Sequence, residues 1–330
     1  MEYKRLGRTN LLVSRIGFGG LAIGGFHYGK TKDKESIAAI RMAIRLGVNF
    51  FDTADIYGFG KSEKILAKGL GRKREKVIIA TKVGIRWNKK KKESYYDLSS
   101  DYIFEAIEKS LFNLKIKKIP LYQIHYPDSV KSASETMEAL NKLRRIEKIK
   151  YIGCSNFSPN DIARYQKYGR IESIQIPYNI IDQKAEKNIF SVCRKWKMGI
   201  IIFSPIAQGL LSGKYNDKVR FSKNDRRNKS KYFTSKVLKR TKQLLEKIEE
   251  VGLRYKKTMT QVALRWILDN PNVTCIIIGV KTPKEIKEAT GAVGWRLSKK
   301  EREELTVMGK EVMPYINDQF LKNLKIFLRK

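Results

Sequence analysis

VNFFD at residues 48–52 and VIIATKV at residues 77–83 are two of the short apolar runs that recur along this chain of 330 residues. Apolar residues at consecutive positions are typical of strands that are buried on both faces of a parallel sheet. Runs of this kind predict eight strands, at residues 15–19, 48–52, 77–83, 121–125, 151–155, 173–176, 199–203 and 274–279.

Amphipathic stretches separate these runs and predict helices. Residues 35–46 place Ile37, Ile40 and Ile44 on one face, and Gly47 follows as a C-terminal cap. The same pattern predicts helices at residues 62–70, 100–113, 132–146, 159–168, 185–197, 259–270 and 283–290. Alternating strands and helices predict an α/β fold, a closed (β/α)₈ or TIM barrel, which we expect to form one domain over residues 1–330.

Some segments lie outside this repeat. Residues 1–13 predict an N-terminal β-hairpin that turns at residues 7–10. Two extra helices and two long loops are also predicted, the helices at 235–255 and 298–310 and the loops at 204–234 and 311–330. Side chains that favour helix N-caps occur at three predicted helix starts, at Ser62, Ser158 and Thr282.

The charge balance is strongly basic. Lysine and arginine number 69 against 33 acidic residues, which gives a formal net charge of +36. Such a field favours anionic ligands and salt-sensitive binding to polyanions. The basic residues are nevertheless spread along the whole chain, as on solvated helix faces, so nucleic-acid binding is a subordinate hypothesis.

The number and spacing of the cysteines and histidines indicate whether the chain has disulfide bonds or a metal site. The three cysteines are far apart and odd in number, and His27 and His125 are the only histidines, so neither a disulfide scaffold nor a metal site is expected. No apolar run reaches about 18 residues, and the N-terminus is polar. We therefore expect a cytoplasmic protein with no membrane partner.

Four polar side chains stand at or just past predicted strand ends, where the active sites of such barrels lie. They are Asp52, Tyr57, Lys82 and His125. A lysine inside an apolar strand is costly unless a carboxylate pairs with it, and Asp52 on the neighbouring strand is the expected partner.

Together these residues predict acid–base chemistry with a phenol as the proton donor. A free tyrosine has a pKa of about 10, so an adjacent ammonium must lower its pKa before it works well near neutral pH. Lys82 is the expected ammonium, and His125 would orient the substrate oxygen or share its proton.

The motifs that carry these residues resemble those of the aldo-keto reductases over nearly the whole chain. The resemblance rests on GFGGLAIGG at 17–25, NFFDTADIYGFGKSE at 49–63, IIATKVG at 78–84, LYQIHYPD at 121–128, IGCSNFS at 152–158, IQIPYN at 174–179, FSPIAQGLLSGKY at 203–215 and IIIGVKTPKEIKEA at 276–289. It implies a barrel enzyme that reduces aldehydes or ketones to alcohols with NADPH, less often NADH. By this resemblance Tyr57 is the general acid, Lys82 and Asp52 support it, and His125 orients the carbonyl.

The resemblance also implies a dinucleotide site. Ser155, Asn156 and Gln175 match positions that hold the nicotinamide carboxamide, and Phe203 matches an aromatic position that stacks on the nicotinamide ring. The other implied cofactor contacts are Gly20, Leu21, Ser204, Pro205, Ala207, Gly209, Leu210, Gly213, Lys214, Gly279, Lys281, Thr282 and Glu288.

Within that set, Lys281 and Thr282 match the site of the adenosine 2′-phosphate, and Glu288 matches a residue that meets the adenine. A cation at the 2′-phosphate favours NADP(H) and leaves NAD(H) open. Backbone amides of the loop 204–214 and of the helix that starts after Thr282 would take the phosphates.

Other functions stay open from the sequence. A cofactor-binding regulatory subunit, like the potassium-channel β-subunits of the same fold, is the main alternative to an enzyme. The substrate is not identified, although the lysine run at 89–92 and the aromatic residues Trp87, Tyr95, Tyr96 and Tyr126 are candidates for the pocket rim. Whether the chain forms a homo-oligomer is also open.

Overall fold

The computed structural model describes residues 1–25, 31–88, 93–128, 130–216, 218–222 and 225–316. The strands in chain order are β1 (Tyr3–Arg5), β2 (Leu12–Ser14), β3 (Ile16–Gly19), β4 (Phe50–Asp52), β5 (Ile78–Val83), β6 (Ile85–Asn88), β7 (Glu93–Tyr96), β8 (Ile119–Ile124), β9 (Ile149–Ser155), β10 (Ser173–Pro177), β11 (Gly199–Phe203) and β12 (Cys275–Gly279). The α-helices are α1 (Asp33–Arg45), α2 (Lys61–Leu70), α3 (Ser100–Leu114), α4 (Ala133–Arg145), α5 (Pro159–Gln166), α6 (Lys184–Trp196), α7 (Ser235–Tyr255), α8 (Met259–Leu268), α9 (Pro283–Thr290) and α10 (Lys299–Val312).

Eight parallel strands close into a barrel, as the alternating pattern predicts. They follow one another in chain order from β3 and β4 through β5, β8, β9, β10 and β11 to β12, which pairs with β3. All eight predicted strands are confirmed to within a few residues. Since the strands are parallel, their carboxyl ends meet at one mouth.

Two apolar layers hold the barrel together. The larger layer lies between the strands and the surrounding helices, and α1 contributes Ala39, Ile40 and Ala43 to it. The smaller layer fills the barrel interior and contains Phe50 and Leu121. These layers explain the continuous apolar runs, because each strand is covered on both faces.

The predicted N-terminal hairpin is present and closes the amino-terminal end of the barrel. β1 and β2 pair antiparallel, and the amide of Leu6 donates to the carbonyl of Leu11 across the turn at 2.9 Å. Leu6, Leu11 and Val13 pack into the interior layer. The open mouth, where the carboxyl ends of the barrel strands meet, is therefore at the opposite end.

The helix boundaries agree with most of the predicted caps. Gly47 follows α1 with a φ of 82°, and Ser158 and Thr282 cap α5 and α9 with reciprocal capping boxes. The predicted N-cap at Ser62 is wrong. Gly60 precedes α2 instead, and the Ser62 hydroxyl is buried and donates to the carbonyl of Gly20.

The segment 85–98, to which the sequence analysis assigns neither a strand nor a helix, contains regular structure. β6 and β7 form an antiparallel hairpin after the carboxyl end of β5, with Ile85 opposite Tyr96. Each of its strands has only four residues, and the run of lysines between them interrupts the pattern of alternating apolar and polar residues that predicts a hairpin. Lys89–Lys92, His27 and the tail beyond residue 316 lie outside the described residues.

Among the helices that the structure describes, none combines the length and the apolar character needed to cross a membrane.

Candidate active site

A buried ion pair lies at the carboxyl end of the barrel. The Nζ of Lys82 lies 2.6 Å from Oδ1 of Asp52, and the two side chains are 1% and 2% exposed. The ammonium also donates to the carbonyl of Thr53 at 2.8 Å. Burial lowers the pKa of Lys82, and the attraction of Asp52 opposes this shift by favouring the charged ammonium. The carboxylate thus makes an ammonium tolerable inside the barrel.

Two buried amides complete the hydrogen bonding of Asp52. The Nε2 atoms of Gln123 and Gln175 donate to its Oδ2 at 3.1 Å and 2.7 Å. The sequence analysis missed Gln123, although a polar residue inside an apolar strand is the same signal that singles out Lys82. Gln175, expected at the nicotinamide, contacts the ion pair in this structure.

Tyr57 lies between the ion pair and the histidine. The Nζ of Lys82 is 4.8 Å from the centroid of its ring, and the ring of His125 lies 5.8 Å away in an edge-on arrangement. The loop after β4 positions Tyr57 by turning at Gly58, whose φ is 64° and whose Cβ position would lie 2.3 Å from the carbonyl oxygen of Gly24. Only glycine fits such an approach.

His125 follows β8 and is buried in a neutral form. Burial lowers its pKa well below the usual value, and the charge of Lys82 lowers it further. Its carbonyl accepts a hydrogen bond from Nδ2 of Asn156 at 3.0 Å. Within the described part of the chain, its Nδ1 is buried without a hydrogen-bond partner. A buried imidazole nitrogen of this kind suits a ligand that is bound at the mouth.

Ser155 and Asn156 connect β9 to this group. The Ser155 hydroxyl donates to the carbonyl of Gln175 at 3.0 Å, and Nδ2 of Asn156 donates to the Ser155 hydroxyl at 3.1 Å. Asn156 has a φ of 60°, a left-handed conformation that is uncommon for residues other than glycine. The structure thus joins three of the expected cofactor residues to His125 and Asp52.

The loop after β11 has an unusual backbone. Five of its residues have positive φ values, namely Ser204, Ala207, Gln208, Gly209 and Gly213. Amides in such turns form concave sites that bind anions. Ala207 and Leu210 are fully buried in the outer apolar layer, where they anchor this loop to the barrel.

The start of α9 carries charges of both signs. Thr282 is the N-cap, and Oε2 of Glu285 accepts hydrogen bonds from the amides of Lys281 and Thr282 at 2.6 Å and 3.2 Å. Partial burial lowers the pKa of Lys281; Glu285 opposes this shift, and nearby Arg227 adds to it. Arg227 pairs with Asp225 at 2.6 Å. The sequence analysis missed Arg227, since nothing marks it within a lysine- and arginine-rich loop.

These features fit a nicotinamide dinucleotide. His125, whose Nδ1 is buried without a partner among the described residues, follows β8, and the left-handed backbone of residues 204–213 follows β11 at the same end of the barrel. An ion pair, a phenol and a histidine at the mouth of an eight-stranded parallel barrel are typical of a barrel enzyme that carries out acid–base chemistry. The sequence profile described as the aldo/keto reductase family matches residues 15–309, and the chain belongs to that family.

Known relatives resemble the chain over most of its length. Aldo-keto reductase YhdN of Bacillus subtilis is 31% identical over 97% of this chain and 98% of its own. A protein of Escherichia coli named NADH-specific methylglyoxal reductase is 32% identical over 89% and 94%. The structure of glycerol dehydrogenase AKR11B4 from Gluconobacter oxydans superposes with a TM-score of 0.87 at 29% identity, covering 94% of this chain and 96% of that one.

Proposed function

We propose that this aldo-keto reductase reduces an aldehyde or ketone to an alcohol, with Tyr57 as the general acid. The observation that carries the proposal is the position of one ammonium: Nζ of Lys82 is 2.6 Å from Asp52 and 4.8 Å from the centre of the Tyr57 ring. An ammonium beside a phenol favours the phenolate, which eases the release of its proton. Asp52 keeps that ammonium charged.

The remaining residues position the reacting groups. A bound nicotinamide dinucleotide supplies the hydride that the carbonyl carbon accepts. Tyr57 transfers its hydroxyl proton to the carbonyl oxygen as negative charge develops there. His125 is neutral, so it orients that oxygen by hydrogen bonding and does not compete as a charged acid. Ser155 and Asn156 are proposed to hold the carboxamide beside this group.

We infer NADP(H) as the preferred cofactor, with NAD(H) as the weaker one. Lys281 and Arg227 place two cations near the proposed 2′-phosphate position, and the chain as a whole is strongly basic. Glu285 acts against this preference, because its carboxylate occupies two amides at the start of α9. The Escherichia coli relative is named as NADH-specific, so members of the family differ in cofactor preference. The charges of Lys281, Arg227 and Glu285 are therefore the feature to test in this chain.

The proposed substrate is a small carbonyl compound. Aromatic rings line the mouth beside the β6–β7 hairpin: Trp87 lies 5.0 Å from Phe59, and Tyr96 lies 5.5 Å from Tyr126. Such rings exclude water and pack against carbon, while Tyr57 and His125 provide the polar end. Two of the relatives are named for methylglyoxal and glycerol, which are both small oxygenated compounds.

The test is the steady oxidation of NADPH with a panel of aldehydes and ketones. The wild type is expected to complete many turnovers, which a cofactor-binding regulatory subunit would not. Tyr57→Phe keeps the ring and is expected to lower kcat by about two to four orders of magnitude. Fluorescence titration should show that this variant still binds NADPH. Turnover retained in Tyr57→Phe would remove the assignment.

A further inference from the structure

Asp55 is a buried acid that the proposed reaction does not use. It lies two residues before Tyr57 in the same loop and is 6% exposed. Its Oδ1 accepts the main-chain amide of Ile56 at 2.7 Å, and its Oδ2 lies 3.2 Å from the hydroxyl of Tyr102 on α3. Both carboxyl oxygens therefore have a defined neighbour.

The hydrogen bonds of Tyr102 favour a protonated Asp55. The Tyr102 hydroxyl lies 2.9 Å from the carbonyl oxygen of Ile85 and 3.2 Å from Oδ2 of Asp55. A phenol has one proton to donate, and a carbonyl only accepts. When Tyr102 donates to Ile85, its oxygen can contact Asp55 favourably only if Asp55 carries a proton and donates it.

The surroundings of Asp55 also favour its protonated form. Burial, followed by repulsion from Glu63 on α2, raises the pKa of Asp55 to about 8. The amide of Ile56 and Lys82 on β5 oppose this shift, and the Tyr102 hydroxyl opposes it only when it donates to Asp55 instead of to Ile85. Tyr122 on β8 also faces the group, and Arg86 on β6 lies over the ring of Tyr102 at 5.2 Å.

Glu63 has donors of its own, in contrast to Asp55. Its two oxygens accept from the hydroxyl of Thr81 at 2.8 Å and from Nδ2 of Asn113 at 2.9 Å. These contacts suit a charged carboxylate, although burial raises the pKa of Glu63 as well. Of the two neighbouring acids, Asp55 is thus the one whose geometry favours a proton.

We propose that Asp55 is a positioning residue that acts as a neutral carboxylic acid. It donates to Tyr102, Tyr102 donates to Ile85, and the loop that carries Tyr57 is thereby joined to the hairpin at the barrel mouth. Ile85 is the first residue of β6, so the link fixes the general acid relative to the aromatic rim. The part of this inference that concerns Tyr57 rests on the proposed function.

Infrared spectroscopy tests the protonation independently of activity. The difference spectrum between the wild type and Asp55→Asn near neutral pH should show the carbonyl stretch of a neutral carboxylic acid, and this band should disappear as the pH rises through about 8. In Glu63→Gln the band should remain near neutral pH but disappear at a lower pH than in the wild type, because the repulsion that helps to raise the pKa of Asp55 is removed. If no neutral-acid band depends on Asp55, the proposal is wrong, whatever the enzyme reduces.

Kinetics test the positioning role. The amide of Asp55→Asn can still donate to Tyr102 and accept from Ile56, whereas Asp55→Ala can do neither. We expect kcat near neutral pH to be roughly ten-fold lower in Asp55→Ala than in Asp55→Asn, and Tyr102→Phe to resemble Asp55→Ala. The wild type should also show an ionisation near pH 8 in its kcat profile that Asp55→Asn lacks.

Equal kcat values in Asp55→Ala and Asp55→Asn would overturn the positioning role. If Asp55→Ala does not fold, Tyr102→Phe tests the positioning role instead, because it keeps the ring and removes only the hydroxyl. A kcat in Tyr102→Phe equal to that of Asp55→Asn would then overturn the role. Absence of reductase activity in the wild type would count against the proposed function instead, and the infrared result would still stand.

Discussion

Lys82 and Asp52 form an ion pair 2.6 Å long in which both side chains are almost fully buried. A pair of this kind adds little stability compared with apolar residues, but it is costly to break. The proposed function gives this pair a role besides stability, because the ammonium also faces Tyr57.

Removing one partner of this pair should destabilise the fold. Asp52→Asn leaves the Lys82 ammonium buried without a counter-charge, and we expect it to lower the free energy of unfolding by about 3–5 kcal/mol near neutral pH. The measurement is urea-induced unfolding. The double variant Asp52→Asn with Lys82→Met should recover part of the loss. A single variant as stable as the wild type would contradict the buried pair.

The Asp55 carboxyl predicts a pH-dependent stability. Its pKa is raised from 3.8 to about 8 on folding, so the folded state holds a proton that the unfolded state releases between these values. Stability should therefore fall as the pH rises through that window, by up to about 1.4 kcal/mol per pH unit from this residue. Unfolding of Asp55→Asn followed across the same range should show a shallower decline. If the stability of the wild type and of Asp55→Asn declined in parallel with pH, the raised pKa of Asp55 would be contradicted.

His125 predicts the opposite dependence of stability on pH, with stability falling as the pH falls. Its folded pKa lies well below the ordinary value of 6.5, so the unfolded state binds the proton first as the pH falls. The contribution of this residue to stability is complete above about pH 6.5 and declines below it. Denaturation of the wild type and His125→Gln on both sides of that pH should show a smaller acid loss in the variant. An NMR titration in which the imidazole protonates near 6.5 would refute it.

Glu285 predicts a change in cofactor preference. Replacing its carboxylate by the amide of glutamine keeps a residue that can complete the capping box with Thr282, but removes a negative charge at the proposed 2′-phosphate position. We expect Glu285→Gln to strengthen NADPH binding relative to NADH by roughly five- to thirty-fold, about 1–2 kcal/mol. Fluorescence titration with both cofactors measures the ratio. Glu288→Gln is the control, because Glu288 is expected to meet the adenine, which both cofactors share, and its loss should leave the ratio unchanged. An unchanged ratio in Glu285→Gln would exclude the proposed role of Glu285.

The sequence predicts the barrel and much of the proposed catalytic group because both depend on local pattern. Apolar runs specify the buried strands, and Lys82 stands out because an ammonium inside such a run needs a partner. Ser62 misleads for a related reason. A serine before an amphipathic stretch resembles an N-cap, but here packing buries its hydroxyl against Gly20.

Other features depend on contacts between distant segments. The proposed role of Asp55 depends on its hydrogen bond with Tyr102, which lies 47 residues away in the chain. Gln123 becomes informative only when the barrel places it against Asp52. The β6–β7 hairpin has strands too short for periodicity to separate it from a loop.

The central claim is that the Lys82 ammonium makes the Tyr57 phenol a better acid. Ultraviolet titration measures this directly, as the difference in phenolate absorbance between a protein that has Tyr57 and its Tyr57→Phe counterpart. We predict that Tyr57 ionises at a lower pH in the wild-type background than in the Lys82→Met background. Ionisation of Tyr57 at the same pH in both backgrounds would contradict the account.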